Sequence, residues 1–181
     1  GIAGVAWPLF GYGRVLRLIA GRQADPTPDG GRAAPASVTV LLAVHNERAG
    51  IEDRLRNLAD TDHPADRLRI VVASDGSTDG TDDLVRAWPD PRVTLVRCDA
   101  RAGKSIAQNA GLAAIVDGIV VITDCGTVFD RRTIPELVAP FADPRVGVVD
   151  GALRFEPPAG AAAIRAHGAY WDYEGMVRTC E

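Results

Sequence analysis

Between Val38 and Gly151, short and continuously apolar runs exchange places with stretches of helical periodicity. The runs are Val38–Val44, Leu68–Ala73, Val93–Val96, Ile119–Ile122 and Val146–Val149; the stretches between them are Ala49–Ala59, Thr81–Trp88, Lys104–Val116 and Ile134–Phe141. An apolar run without alternation is the mark of a strand buried on both faces, which in turn needs helices above and below it. Ala49–Ala59 places Ile51, Leu55 and Leu58 at helical spacing, and Lys104–Val116 is expected to turn Ile106, Ala110, Ala113 and Ala114 inward. Strands separated by helices predict an α/β fold with a parallel, doubly wound, Rossmann-like sheet and right-handed crossovers.

Ligands of such sheets sit just beyond the carboxyl ends of the strands, so the residues found there carry the chemistry. The first strand is followed by His45-Asn46-Glu47, the second by Asp75-Gly76-Ser77-Thr78-Asp79-Gly80, and the fourth by Asp124-Cys125-Gly126-Thr127. Each has two readings. Asn46-Glu47 can simply begin a helix. The Asp75–Gly80 run is made of turn-forming residues, yet its carboxylate can also accept from a nucleobase imide N–H. Arg101-Ala102-Gly103-Lys104 is a solvated loop, or two cations facing a diphosphate at the start of a helix. Asp124 ends a strand, or reaches a divalent cation. The Gly-x-Gly-x-x-Gly dinucleotide fingerprint and the Gly-Lys-Ser/Thr phosphate loop are both missing, which weakens dehydrogenase and ATPase readings.

Composition narrows the partners. The net charge of the 181 residues is −4, with both signs interspersed, so no basic face invites nucleic acid. Cys98, Cys125 and Cys180 lack metal-ligand spacing and suit a reducing compartment; Cys125, with no histidine near it in sequence, reads as a small packing residue rather than a nucleophile. At the start, residues 1–20 are apolar with Trp7, Phe10 and Tyr12, and are followed by Arg14, Arg17, Arg22 and Arg32. Thirteen residues before the first arginine are too few for a full span, so the segment is expected to be part of a membrane helix with the domain on the cytoplasmic side. A core-packing helix is the alternative. Residues 21–37, rich in Gly, Pro and Asp, read as a linker, and 38–181 as one domain that is incomplete at its C-terminal end.

Taken in order, Val44-His45-Asn46-Glu47, Val72-Ala73-Ser74-Asp75-Gly76-Ser77-Thr78-Asp79-Gly80-Thr81, Gly103-Lys104-Ser105-Ile106-Ala107-Gln108-Asn109-Ala110-Gly111 and the strand into Asp124 resemble the family 2 glycosyltransferases. Trp7–Arg17 and Tyr170–Arg178 look like the membrane-bound branch related to cellulose and hyaluronan synthases. The resemblance implies a GT-A fold and transfer of a sugar, with inversion, from a nucleotide diphosphate to a polysaccharide or glycolipid acceptor. It implies that Glu47 and Asp75 hold a uridine-type nucleoside, that Lys104 lies near the nucleotide, and that Asp124 is the first acid of the family's Asp-x-Asp. The second acid is Gly126 here, so a Mg²⁺ or Mn²⁺ would have only Asp124 and would bind weakly. The family's general base follows the segment matched here, as does the Gln-x-x-Arg-Trp of the membrane branch, and neither precedes Glu181. No catalytic residue is therefore assigned, and the chain alone is expected to be inactive. Two rival readings remain: a degenerate module that binds nucleotide without transfer, and a nucleotidylyltransferase, whose Gly-rich first turn is absent.

Overall fold

The computed structural model describes residues 36–151. The chain divides into two units, and all of these residues except Asp150 and Gly151 belong to the one that runs Pro28–Val149. The membrane segment expected over 1–20, nearly all of the linker and the helix expected after Ala161 lie outside the described residues. Among those that are described, no helix is long and apolar enough to cross a membrane.

Four parallel strands make the sheet: β1 (Val38–Val44), β2 (Leu68–Ser74), β3 (Val93–Arg97) and β4 (Ile119–Asp124), in the order β3-β2-β1-β4. The helices are α1 (Ile51–Ala59), α2 (Thr81–Arg86), α3 (Lys104–Ala113) and α4 (Thr133–Val138), the last continued by a 3₁₀ turn, Ala139–Ala142. On one face of the sheet Val38, Val40, Leu42 and Val44 of β1 pack with Ile51, Leu55 and Leu58 of α1, Val85 of α2 and Ile134 of α4. On the other face Leu41, Val71 and Ala73 meet Ala107 of α3. Burying both faces of β1 explains its unbroken apolar run, and each Leu or Ile so buried contributes about 1.5–3 kcal/mol.

Two expectations need correction. Val146–Val149 forms no strand, and Val148 is 86% exposed. Three valines interrupted by Gly147 give a run too short to bury a face, so the described sheet stops at four strands. The inward face of α3 is also different: Ala107 and Gly111 are buried, whereas Ile106, Ala113 and Ala114 are exposed and Ala110 is half-buried. The helix lies so close to the sheet that a Cβ at Gly111 would run into Leu41 Cδ1 and Ala73 Cβ. Only the smallest residues fit there, so size rather than hydrophobicity selects the contact face.

The register sets up the site. Val44 pairs with Ser74, and Ala43 with Asp124. Hence His45, Asp75 and Cys125, each one residue further on, come out at one rim of the sheet.

Candidate functional site

The two loops that leave β1 and β2 are fastened to each other. His45 Nδ1 donates to the Asp75 carbonyl at 2.7 Å, which fixes the proton on Nδ1, since its partner can only accept. Asn46 N donates to Ser77 Oγ at 3.1 Å, and Thr78 N donates back to Asn46 Oδ1 at 2.9 Å. Glu47 N donates to Thr81 Oγ1 at 2.9 Å, and Arg48 N to Asp79 Oδ2 at 3.0 Å. Asn46 has φ 56°, a left-handed conformation that Asn tolerates better than most residues. It does not begin a helix: the Glu47 carbonyl closes a turn by accepting from Gly50 and Ile51, and α1 starts at Ile51. Thus Ser77, Thr78 and Asp79, which read as turn formers, and Thr81, which read as the start of a helix, serve as clasps on the neighbouring loop.

Asp75 is 4% exposed, and its carboxylate accepts from Ala102 N at 2.6 Å and from Gly103 N at 2.9 and 3.0 Å. The carboxylate therefore latches the loop that carries Arg101 and Lys104 onto the end of β2. Gly76 makes this approach possible: its φ is +61°, and a Cβ there would stand 2.6 Å from Arg101 N and 2.7 Å from Ala100 C. Both oxygens of Asp75 already accept protein amides, so its remaining lone pairs are what a ligand can use.

A cleft of about 350 Å³ opens beside these loops, lined by Glu47, Asp75 and Asp124, by Arg101 and Lys104, and by Cys125 and Gly126. The structure thus brings the four sequence-selected residues, Glu47, Asp75, Lys104 and Asp124, to one cavity. Lys104 Nζ donates to Asp124 Oδ1 at 2.5 Å, and both side chains are more than half exposed. A solvated pair of this kind is worth at most about 1 kcal/mol, so an arriving phosphate or cation separates it at little cost. Cys125 is half-buried; burial, followed by the nearby Glu47 carboxylate and its hydrogen bond, pushes its thiol up to about 11. It therefore stays protonated at neutral pH, in line with a packing role.

Asp124 is the acid available for a divalent cation, and Gly126 offers no side chain beside it. Among the described residues no group of three or more His, Cys, Asp and Glu could hold a metal. One carboxylate fits a hard cation only where diphosphate oxygens and water complete the shell.

Sequence reasoning missed Arg54. It lies on α1 beneath the Asp124 turn, 3% exposed. Its Nη2 donates to Thr123 Oγ1 at 2.9 Å and its Nη1 to Asn57 Oδ1 at 2.6 Å, and the guanidinium carbon lies 4.5 Å from the centroid of the Phe129 ring. Asn57 in turn grips both backbone groups of Phe129, donating to its carbonyl at 2.7 Å and accepting from its N–H at 2.9 Å. The signal was present: residues 51, 54, 55 and 58 form one helical stripe, and the second of them is a charge.

A parallel sheet with paired acids and cations in a cleft at its carboxyl rim has the form of a ligand-binding α/β domain. Comparison with known proteins makes this specific: residues 39–177 match Glycosyl transferase family 2, and the chain belongs to that family. It is 31% identical over 166 residues to the glycosyltransferase AglD of Haloferax volcanii, covering 87% of this chain and 26% of that protein. It is 29% identical over 116 residues to the poly-beta-1,6-N-acetyl-D-glucosamine synthase of Staphylococcus aureus, covering 63% of this chain and 28% of the synthase. Among solved structures, the mannosyltransferase PcManGT of Pyrobaculum calidifontis, in complex with GDP-Man and Mn²⁺, superposes with a TM-score of 0.71 at 37% identity, over 80% of this chain and 43% of PcManGT. The chain thus spans less than half the length of each relative, and the sheet it describes is GT-A-like.

Proposed function

We propose that the cleft holds the nucleotide diphosphate of a sugar donor, and that the protein to which this chain belongs transfers the sugar with inversion to a glycan or lipid acceptor. The observation that carries this reading is the pairing of three carboxylates with Arg101 and Lys104 around one cavity at the strand ends. Arg101 and Lys104 suit the diphosphate, which needs cations that reach it without covalent chemistry. Asp75, buried and held by two backbone amides, suits a base that offers an N–H beside a carbonyl, and Glu47 would support the nucleoside next to it. Uracil presents one such N–H and guanine one, with its 2-amino group alongside, whereas adenine presents an acceptor at the equivalent position. UDP is the expected nucleotide; GDP is the alternative suggested by the ligand of PcManGT. A Mg²⁺ or Mn²⁺, when bound through Asp124 and the phosphates, would neutralise charge on the leaving group. The apolar start of the sequence, with its trailing arginines, supports an anchor in the membrane and a cytoplasmic domain.

Titration calorimetry with UDP, GDP and ADP tests the reading. UDP or GDP should bind more tightly than ADP, and Asp75→Asn should cost about 1–3 kcal/mol of that affinity, as for a buried hydrogen bond to a charged group. Equal affinity for ADP would overturn the base assignment. A module that binds without transferring sugar is the second reading, favoured by Gly126 standing where a second acid would be.

A further inference from the structure

Arg54 carries a full positive charge into the apolar layer beneath the cleft, with no carboxylate among the described residues in direct contact. Among the described residues it makes no ion pair, and its Nε is buried with no hydrogen-bond partner. Burial holds the guanidinium down at about 10, the expected response of a cation kept from water, and it remains charged at neutral pH. Buried charges are normally paired, and an apolar residue of similar volume is often as stable or more so. Arg54 lies in the stripe formed by Ile51, Leu55 and Leu58, all fully buried, where Leu or Met would fill the same space. Packing alone therefore does not account for an arginine here.

Its surroundings supply an account. The guanidinium bonds to Thr123, the residue before Asp124, and rests on Phe129, whose backbone Asn57 clamps from both sides. One side chain thus fixes both ends of the turn that carries Asp124, Cys125 and Gly126. Its charge is felt by Asp124 and Cys125, both of which line the cleft. We infer that Arg54 is a positioning residue for the diphosphate half of the donor: it holds the Asp124 turn in place and supplies positive potential from behind the cleft wall, in addition to Arg101 and Lys104, which line the cleft itself. With Gly126 in place of a second acid, a cation there would be held by fewer protein ligands, and the fixed charge of Arg54 behind the wall would supply part of the positive potential that a loosely held cation leaves missing at the diphosphate. The inference rests on the donor-cleft reading above.

The test compares the 181-residue chain with Arg54→Met and Arg54→Lys, measuring affinities for UDP and for uridine by calorimetry and following thermal unfolding alongside; GDP and guanosine replace the pair if the wild type prefers them. Arg54→Met should weaken UDP about tenfold, the order expected of one charge acting through the cleft wall, and uridine less than twofold. Arg54→Lys keeps the charge and should restore most of the loss for UDP. Equal loss for UDP and uridine, no loss for either, or Lys behaving like Met would each overturn the inference. If Arg54→Met fails to fold, Arg54→Gln, which keeps a donor for Thr123 while removing the charge, takes its place. Should Gln also fail while Lys folds, the charge serves the fold alone and the inference is wrong. A wild-type chain that binds neither UDP nor GDP better than ADP would instead remove the donor-cleft reading itself.

Discussion

Gly126 stands two residues after Asp124, with nothing within 4 Å of the place where its Cβ would be. The position is therefore open on the cleft side, and a carboxylate introduced there meets no steric obstacle. Gly126→Asp should add an oxygen ligand to a hard cation and strengthen Mn²⁺ binding on the order of tenfold, about 1.4 kcal/mol, read by water proton relaxation in the presence of UDP. Unchanged Mn²⁺ affinity would mean that residue 126 does not face the cation. Side chains at this scale were only partly legible in the sequence. Asp75, Glu47, Lys104 and Asp124 could be selected because they follow strand ends, and the structure lines one cavity with all four. That Asp75 spends its oxygens on the amides of Ala102 and Gly103, and that Arg54 is buried, depend on contacts 27 or more residues apart, which local pattern does not encode.

Among the elements, β1 and β2 were the most legible, because burial on both faces leaves an unbroken apolar run, whereas the similar run Val146–Val149 forms no strand. α3 was the least, since its contact face is chosen by smallness at Ala107 and Gly111 while its larger residues face water. The β1–α1 and β2–α2 loops depend on a carboxylate that is itself only half-buried. Asp79 accepts from Thr81 Oγ1 and from the amides of Arg48 and Thr81, and the Thr81 hydroxyl first, then those amides, hold its carboxyl down at about 2. A depressed folded-state value means that Asp79 contributes stability above its unfolded value, near 4, and loses that contribution as pH falls toward 2. Unfolding followed between pH 5 and pH 2 should therefore show a decline that Asp79→Ala makes shallower, with the mutant less stable at pH 7. An identical pH profile for both proteins would show that the clasp does not depend on this charge.

For the molecule as a whole, the unit Pro28–Val149 holds both packed faces of the sheet and every residue named in the cleft. A chain lacking Gly1–Thr27 should keep one cooperative urea transition, and, if the apolar start is the anchor, should lose the full chain's sedimentation with lipid vesicles. Loss of cooperativity would place residues 1–27 in the fold, and unchanged sedimentation would put any membrane contact elsewhere. On the proposed reading, the exposed contact between Lys104 and Asp124 would also couple the two ligands of this unit. A diphosphate would draw Lys104 away and leave Asp124 for a cation, while a cation on Asp124 would release Lys104 for a diphosphate. Thermodynamic linkage then makes the two effects equal: by whatever factor nucleotide tightens the hold on the metal, the metal tightens the hold on nucleotide. In cells, where free divalent ions and nucleotide sugars vary independently, occupancy of this cleft would follow their product more closely than either concentration alone.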